Sequence, residues 1–214
     1  MTDPPPTSVF AVRHGETEWN LIGKHQGHLD SPLTERGTQQ TRALAAGLVG
    51  RGIESVYSSD LGRALRTAEP ICAELGLSVQ TDERLRERHL GSLQGLTKEK
   101  FRHRYPDECR QFGSGDPDYC LPGGESIRQL YERTVGCIED LAEKHTGKTV
   151  LIVSHGGVLN GLFYRAVSLP LSEPRRFSLL NAAISNFSVC GDLWRLETWG
   201  ETSHLRGLVA LDYN

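Results

Sequence analysis

Two unbroken apolar runs dominate the pattern of hydrophobic and polar residues, at residues 9–12 and 149–153. When helices cover both faces of a parallel sheet, its central strands have no polar face and appear as continuous apolar runs. Shorter runs with the composition of strands occupy residues 55–58 and 77–81. The pattern therefore predicts at least four strands, two of them at the centre of a sheet.

Helical periodicity and helix-end signals separate these strands. Thr34 is suited to cap one helix, and Gly76 is suited to end another. After Ser126, apolar side chains recur every three or four positions, which is typical of a helix with one buried face. The predicted helices cover residues 34–49, 61–75, 126–145 and 157–167, and a terminal hairpin joins strands 183–189 and 193–198.

The alternation of strands and helices predicts an α/β fold, a three-layer α/β/α sandwich with a mostly parallel central sheet. A chain of 214 residues is long enough for one large domain and short for two, so we expect residues 1–214 to form a single domain. Residues 84–124 are polar and rich in glycine and proline, with one short helix predicted near residues 97–105. We interpret this segment as an insertion that covers the functional site.

Composition and charge restrict the class of protein. Hydrophobic residues make up 37% of the chain, charged residues make up 24%, and the formal net charge is -3. These values are typical of a soluble globular protein and show no basic excess for binding nucleic acid. The amino terminus lacks signal-peptide features and no apolar run reaches membrane-spanning length, so we expect a cytoplasmic protein without a membrane partner. The pattern leaves the oligomeric state open, a homodimer included.

Cysteine and histidine spacing gives no sign of a bound metal. The five cysteines are far apart and form neither a CxxC pair nor a zinc-ligand pattern, so we expect structural thiols. Cys72 and Cys137 fall in helical patterns where a small apolar side chain packs well. His25 and His28 have no third carboxylate or thiolate ligand nearby. We interpret them as solvated or substrate-side loop residues and expect no metal.

Two histidines follow the two apolar strands directly. His14 comes after residues 9–12 and His155 after residues 149–153, and a glycine follows each histidine. The carboxyl ends of parallel strands meet at one edge of the sheet, where open α/β sheets bind ligands. Glycine lets backbone amides approach an anion closely, and a helix that starts after Gly157 adds the positive end of its dipole. The two segments therefore predict a phosphate site.

The side chains at this edge suit phosphoryl transfer. A histidine that attacks phosphorus must be unprotonated on the attacking nitrogen, and positive charge must stabilise the transition state. His14 is the candidate nucleophile. Arg13 and Arg63 are the candidates for the positive charge, because a guanidinium group holds two phosphate oxygens at once. His155, if cationic, would be a third positive group.

The leaving oxygen needs a proton, and we choose Glu87 as the acid. Near the substrate phosphate it would have to hold a proton at neutral pH. Once ionised, the same carboxylate could take a proton from the water that attacks the phosphohistidine. Asp60 is expected to cap the helix that carries Arg63. Glu125 either lines the site or pairs with a nearby arginine, and we favour the ion pair.

An ordered set of motifs extends over nearly the whole chain. It consists of RHGETEWN at residues 13–20, Gln26-Gly27, DSPLT at 30–34 with Gly37, SSDLGRA at 58–64 with Thr67-Ala68, Glu87 with Gly91 and Gly95, PGGES at 122–126 and SHGG at 154–157. In this set the chain resembles the histidine phosphatase superfamily in its phosphoglycerate mutase-like branch.

The resemblance implies a role for each matching residue. It implies that His14 becomes phosphorylated, that Arg13, Arg63 and His155 bind the phosphoryl group, and that Glu87 is the proton donor. Further contacts to substrate or phosphate are expected from Thr17, Asn20, Gln26, Gly27, Lys98 and Gly156. The resemblance also implies that no metal or organic cofactor takes part and that the partner is a small phosphate monoester.

The choice of reaction within this branch rests on the region after Glu87. Leu90 occupies the position where the mutases carry a substrate-contacting tyrosine, although Lys98 matches them. Residues 101–121 also lack the adjacent arginine pair with which the mutases grip the second anionic end of the substrate. Residues 181–205 are similar to metal-independent phosphoserine phosphatases and broad-specificity phosphatases. We favour a phosphomonoester hydrolase acting on phosphoserine, phosphoglycerate or a sugar phosphate.

Two alternatives stay open. A bisphosphoglycerate-dependent phosphoglycerate mutase, which interconverts 2- and 3-phosphoglycerate, would need bisphosphoglycerate as a primer. A catalytically idle member that serves as a binding module is disfavoured, because each expected catalytic residue type is present.

Overall fold

The six strands that a computed structural model describes within residues 4–208 form one sheet, in the order β3-β2-β4-β1-β5-β6. The elements are β1 (Thr7–Arg13), α1 (Glu18–Leu21), α2 (Glu35–Leu48), β2 (Ser55–Ser58), α3 (Gly62–Leu75), β3 (Val79–Thr81), α4 (Lys98–Arg104), α5 (Pro106–Phe112), α6 (Ile127–Lys144), β4 (Thr149–Ser154), α7 (Gly156–Ala166), β5 (Ile184–Cys190) and β6 (Leu193–Glu201). Short 3₁₀ turns occupy Glu83–Leu85, Gly91–Leu93 and Ser203–Leu205.

The sheet is mostly parallel, as predicted. β3, β2, β4 and β1 run in one direction, and the terminal hairpin adds β5 antiparallel to β1 and β6 antiparallel to β5. β1 and β4, the two strands predicted to be central, are direct neighbours, and Arg13 lies opposite Ser154 at their carboxyl ends. This register places the residues that follow the two strands, His14 and His155, side by side.

Helices cover both faces of the sheet. Successive side chains of a strand point to opposite faces, so the apolar runs divide between two clusters. Val9 and Ala11 of β1 pack with residues of α6 and α7, whereas Phe10 and Val12 pack with residues of α2 and α3. All four side chains are buried. The predicted three-layer α/β/α sandwich is confirmed.

Most helix ends follow their local sequence signals. The Thr34 side chain caps α2, and Ser126 forms a capping box with Gln129 at the start of α6. Gly76 ends α3 in the left-handed region, at a φ of 67°, where glycine has no steric penalty.

Asp60 does not cap α3, contrary to the expectation from the sequence. Its carboxylate binds the Arg86 guanidinium, with Oδ1 2.7 Å from Nε. The Arg63 amide in the first turn of α3 donates instead to Asp30 Oδ1 at 3.1 Å. The cap therefore comes from a distant loop, which the local sequence does not reveal.

Residues 84–124 fold into short elements around a small apolar core. Leu93, Phe101 and Leu121 are almost fully buried against one another. α4 matches the predicted short helix, but α5 was not predicted, although Pro106 at its first turn is a favourable start signal. The strand predicted at 77–81 is shorter, because the Leu77 amide still donates to Cys72 of α3.

The cysteines have the structural character that their spacing predicts. All five are free thiols, and Cys72 and Cys137 are buried in α3 and α6. Burial raises the pKa of Cys137 to about 12, and the neighbouring Asp82 carboxylate acts in the same direction. Within residues 4–208, no helix combines the length and the apolar character needed to cross a bilayer.

Candidate active site

The ends of β1 and β4 bring His14 and His155 together, as the sequence predicts. Their ring centroids are 5.3 Å apart and the ring planes are tilted by 56°. The His14 amide donates to the Ser154 carbonyl at 2.9 Å, so the parallel pairing continues to the edge of the sheet. Both side chains are buried, with 3% and 0% of His14 and His155 exposed.

The hydrogen bonds of His14 identify its tautomer. Nδ1 lies 2.8 Å from the Gly15 carbonyl oxygen. Because a carbonyl oxygen only accepts, Nδ1 carries the proton and Nε2 carries the lone pair. Burial lowers the pKa of His14 well below its ordinary value, and the charges of Arg63 and Arg13 lower it further. His14 is therefore a neutral imidazole with its lone pair on Nε2, the form that a nucleophile requires.

Arg63, on α3, lies against the unprotonated nitrogen of His14. Its Nε donates to His14 Nε2 at 3.3 Å, and only 1% of its surface is exposed. Nη1 donates to the Leu29 carbonyl at 2.9 Å and Nη2 to the Gly27 carbonyl at 2.8 Å. Asp30 adds an ion pair at 3.3 Å. The loop that follows α1 thus fixes the guanidinium plane beside His14.

Arg13 is the last residue of β1 and brings a second guanidinium group to the same edge. It is 8% exposed, and its Nη1 donates to the Leu179 carbonyl. A Cβ placed on Gly156 would lie 3.7 Å from Arg13 Nε and 3.9 Å from Glu87 Oε2. Gly156 therefore lies between Arg13 and the predicted acid.

The surroundings of His155 favour the neutral ring over the cationic form considered from the sequence. Burial lowers its pKa well below the ordinary value, and Arg63, His14 and Arg13 add to that effect. Nε2 lies 2.8 Å from the Ser59 hydroxyl. Nδ1 is buried and has no partner among residues 4–208.

Glu87 contacts the amino terminus of α7. Gly157, the second glycine of the His-Gly-Gly motif, makes this contact possible. The Gly157 amide donates to Glu87 Oε2 at 3.1 Å, and the Arg88 amide donates to Oε1 at 2.8 Å. A Cβ on Gly157 would lie 2.3 Å from Oε1. The start of α7, whose dipole was expected to act on a bound anion, thus contacts a carboxylate of the protein itself.

Gly15 has a packing role at this edge of the sheet. Its amide donates to the Thr67 hydroxyl at 3.0 Å, and a Cβ at this position would lie 2.9 Å from the Gly37 carbonyl oxygen. A Cβ on Gly37 would come within 2.0 Å of the Glu16 carbonyl oxygen. The close approach of α2 to the loop after β1 therefore requires glycine on both sides.

Thr17, Asn20 and Gln26 form one polar cluster beside the histidines. Thr17 caps α1 in a capping box with Asn20. Asn20 Oδ1 accepts from the Thr17 amide at 3.1 Å and from its hydroxyl at 3.0 Å, so the amide nitrogen of Asn20 lies on the opposite side. Gln26 Nε2 donates to the Thr17 hydroxyl at 2.9 Å, and its Oε1 is buried with no partner in the described part of the chain.

Two supporting residues were not predicted as members of the site. Asn181 Nδ2 donates to the His14 carbonyl at 2.8 Å and lies 3.4 Å from Asn20 Oδ1. Asn181 precedes β5, and because β5 is antiparallel to β1, the start of β5 lies at the edge where β1 ends. Ser59, which contacts His155, follows β2 at the same edge. Strand direction is the signal that points to both.

Lys98 lies at the rim and not in the histidine cluster. It is exposed as the first residue of α4. The loop that follows α1 pairs with the segment that precedes α4. The His25 amide donates to the Leu96 carbonyl at 3.0 Å, and the Gly95 amide donates to the His25 carbonyl at 2.8 Å. Burial and the Lys98 charge lower the pKa of His25, whereas Glu87 raises it. Lys98 and Glu87 therefore both act on His25.

His28 joins the loop that follows α1 to the segment that carries Glu87. Its Nε2 donates to the Glu87 carbonyl at 2.8 Å, and its amide donates to Gln94 Oε1 at 2.7 Å. His28 thus has partners within the protein at both its ring and its amide. Among the residues that the structure describes, no three His, Cys, Asp or Glu side chains are grouped to hold a metal ion.

Comparison with known proteins assigns this arrangement to a family. Residues 9–202 match the family model of the histidine phosphatase superfamily (branch 1). The chain is 41% identical over 201 residues to phosphoglycerate mutase-like protein 4 of Arabidopsis thaliana, covering 92% of this chain and 86% of that protein. It is 38% identical over 207 residues to the metal-independent phosphoserine phosphatase of Arabidopsis thaliana, covering 93% and 83%.

A solved structure extends the match to three dimensions. The phosphoserine phosphatase of Entamoeba histolytica, in complex with 3-phosphoglyceric acid, has a TM-score of 0.82 and 31% identity, with 93% of this chain and 99% of that chain covered. Two of these relatives are named phosphoserine phosphatases, and one is named a phosphoglycerate mutase-like protein. The chain belongs to branch 1 of the histidine phosphatase superfamily and is an enzyme of that family.

Proposed function

We propose that the protein hydrolyses small phosphate monoesters through a phosphohistidine formed on His14. The observation that carries the proposal is the state of this ring, which is neutral, has its proton on Nδ1 and presents Nε2 to a buried guanidinium group. The phosphatase names among its relatives agree with hydrolysis. The candidate substrates are phosphoserine, phosphoglycerate and sugar phosphates.

Binding places the phosphoryl group between the two arginines. Arg13 and Arg63 supply two positive charges in a buried setting, where Coulomb attraction is stronger than in water. Ser59 Oγ accepts from the Leu61 amide at 3.3 Å, so its own proton is available for His155 Nε2. His155 Nδ1 then carries a hydrogen that it donates to a phosphate oxygen. Asn20 contributes its amide nitrogen from the side of α1.

In the first step, His14 Nε2 attacks phosphorus in line with the leaving oxygen. The N–P bond forms as the P–O bond to the leaving group breaks. Glu87, in its protonated form, gives its proton to the leaving oxygen, and the alcohol departs. The Gly15 carbonyl keeps its hydrogen bond to Nδ1–H and stabilises the positive charge on the phosphorylated ring.

In the second step, water attacks the phosphohistidine. Glu87, now a carboxylate, takes the proton from the water as the new P–O bond forms and the N–P bond breaks. The amides of Gly157 and Arg88 hold that carboxylate in place. The products are inorganic phosphate and His14 in its original neutral form. We also propose that residues 84–124 cover the site, since Leu96 and Gly95 pair with the loop at His25.

A phosphoglycerate mutase is the second candidate, favoured by the 41% identity to a phosphoglycerate mutase-like protein. Lys98 is at a position that the mutases share. The arginines of residues 101–121 weigh against this reaction. They are spaced along α4 and α5, and Arg110 pairs with Asp107 at the surface. Residues 101–121 therefore contain no adjacent arginine pair for a second anionic group of the substrate.

A substrate panel tests the proposal. Purified protein is incubated with phosphoserine, 3-phosphoglycerate, a sugar phosphate and an aryl phosphate, each with and without 2,3-bisphosphoglycerate and a metal chelator. We expect release of inorganic phosphate that needs no primer and is insensitive to the chelator. Primer-dependent formation of 2-phosphoglycerate without phosphate release would overturn hydrolysis in favour of the mutase. Activity lost with the chelator would contradict a metal-independent reaction.

A further inference from the structure

An arginine that the proposed reaction does not use lies directly behind Glu87. Arg133, on α6, donates to the carbonyls of Arg84 at 2.6 Å, Arg86 at 3.0 Å and Glu87 at 3.4 Å. Residues 84–87 leave the edge of the sheet through a single 3₁₀ turn, so their carbonyls have few partners from regular structure. One guanidinium group supplies three of these partners.

Glu125 sets the orientation of this guanidinium group. Its carboxylate accepts two hydrogen bonds from Arg133, from Nε at 2.9 Å and from Nη2 at 2.8 Å. The two side chains are 22% and 17% exposed, so solvent screens the pair only in part. A two-point contact fixes the guanidinium plane as well as its distance. The Glu125 carbonyl also accepts from Arg88 Nε at 2.7 Å, which secures the residue after Glu87.

Apolar packing holds Leu85, whereas the chain after it relies more on polar contacts. Leu85 is fully buried, and the Ser154 hydroxyl donates to its carbonyl at 2.7 Å. Beyond Leu85 the chain borders a cavity of about 380 Å³, whose polar walls include His28, His89 and Arg133. On the side that faces this space, hydrogen bonds contribute more than close packing to holding the segment in place.

We propose that Arg133, oriented by Glu125, is a positioning residue that aims the Glu87 carboxylate at the leaving oxygen. The inference rests on the proposed function, in which Glu87 is the proton donor. Arg133 holds the backbone carbonyls of residues 84, 86 and 87, and His28 donates to the same Glu87 carbonyl. Displacement of an acid by about 1 Å is enough to lower a rate by about 100-fold.

The proposal predicts a leaving-group effect for Arg133→Gln. In a single turnover, the rate of His14 phosphorylation by an alkyl phosphate, whose leaving oxygen depends on the acid, should fall by roughly 10- to 100-fold while substrate affinity changes by less than about twofold. With p-nitrophenyl phosphate, whose leaving group needs little protonation, the rate of the same step should stay within about twofold. The single turnover isolates this step from the later hydrolysis of the phosphohistidine, which is common to both substrates. Arg128→Gln is the matched control, since Arg128 is on the same helix in an exposed ion pair with Asp118. It should leave both rates unchanged.

A double-mutant cycle with Glu87→Gln separates positioning from a general structural role. Once the acid is absent, adding Arg133→Gln should cost less than about twofold with the alkyl substrate, because residues that act as a unit are not additive. Equal loss with both substrates, or an undiminished loss in the Glu87→Gln background, would overturn the role of Arg133. If Glu87→Gln itself shows no leaving-group effect, the assigned acid fails, and the Arg133 proposal fails with it.

Folding is checked by thermal unfolding of each variant. If Arg133→Gln does not fold, Glu125→Gln takes its place, since it keeps the Arg133 contacts to the carbonyls but weakens the group that orients them. We expect the same preference for loss with the alkyl substrate, at roughly 3- to 10-fold. A uniform loss with both substrates in Glu125→Gln would overturn the proposal equally.

Discussion

The two ends of the candidate site are held by different kinds of structure. The histidine end, His14 and His155 with Arg13 and Arg63, leaves neighbouring strands whose register is set by backbone hydrogen bonds. The acid segment, residues 84–88, is irregular chain held by side chains that reach its backbone. The group that would attack phosphorus is thus placed by the sheet, whereas the group that would serve the leaving oxygen is placed by separate contacts.

The histidine end is also more deeply buried than the contacts that hold the acid segment. Arg63 is 1% exposed and His155 is fully buried, whereas the Arg133–Glu125 pair retains contact with solvent. Regions with few buried apolar contacts open at a lower free-energy cost than the core. In the proposed reaction this division is useful, because every phosphate monoester presents the same phosphoryl group but a different leaving group. The acid segment and residues 84–124 are then the place where substrate preference can change without altering the histidine end.

The largest expected effect is at the histidine end. His14→Ala should lower turnover of every phosphate monoester by about 10⁴-fold or more and abolish covalent labelling by radioactive substrate, since the nucleophile is removed. His103→Ala, an exposed histidine of α4, is the matched control and should retain both activities. Labelled protein in the His14→Ala variant would mean that another residue is the nucleophile.

Alanine substitutions at Gly156 and Gly157 test the contact between Glu87 and the start of α7. In Gly157→Ala the new Cβ would lie 2.3 Å from Glu87 Oε1, so the carboxylate must move, and we expect about a tenfold loss of kcat with an alkyl phosphate. In Gly156→Ala the nearest atoms are at 3.7 Å and 3.9 Å, which is ordinary contact, and the loss should stay within about twofold. Steady-state kinetics on both variants make the comparison, and an equal loss would contradict the predicted role of the Glu87 contact.

Acid titration tests the histidine end through stability. The pKa of His155 in the folded protein is lowered below the ordinary value of 6.5, chiefly by burial. Below that pH the unfolded state binds more protons than the folded state, so acidification lowers the free energy of unfolding. The slope is up to about 1.4 kcal/mol per pH unit for one ring, until the folded-state pKa is reached. The free energy of unfolding, measured in urea at about pH 7.5 and pH 5.5, should therefore fall less in His155→Gln than in the unmodified protein.

The exposed His103 serves as the control for this titration. His103→Gln replaces a histidine at an exposed position of α4 and is measured in parallel with His155→Gln. If His155→Gln lost stability with acid as steeply as the unmodified protein, the lowered pKa of His155 would be contradicted.

The smallest expected effect is at the rim. Lys98→Ala should raise KM by about threefold for a substrate with a second anionic group, because an exposed charge contributes little when solvent screens it. It should not change KM for p-nitrophenyl phosphate. Lys100→Ala, two positions along the same helix and also exposed, is the control and should affect neither substrate. The same change in KM for both substrates would argue against recognition of a second anion by Lys98.

The sequence alone predicted the strands and helix ends that depend on short-range patterns of residues. The apolar runs at 9–12 and 149–153 predicted the central strands, and Thr34 and Gly76 predicted helix ends that the structure has. Since parallel strands end at one edge, the positions of His14 and His155 after these strands also predicted that the two rings meet. Roles for the remaining site residues came from the resemblance of motifs spread over the chain.

Contacts between distant residues required the tertiary structure. Asp60 precedes α3 and has the usual character of a cap, yet Asp30 supplies the hydrogen bond and Asp60 pairs with Arg86. The protonation of His155 likewise depends on burial and on guanidinium groups brought by other elements. Local pattern therefore determined which segments become strands and helices, because those preferences act over a few residues. Tertiary structure alone decided the partners, tautomers and charges of the site, because hydrogen bonding and desolvation depend on what the folded chain places nearby.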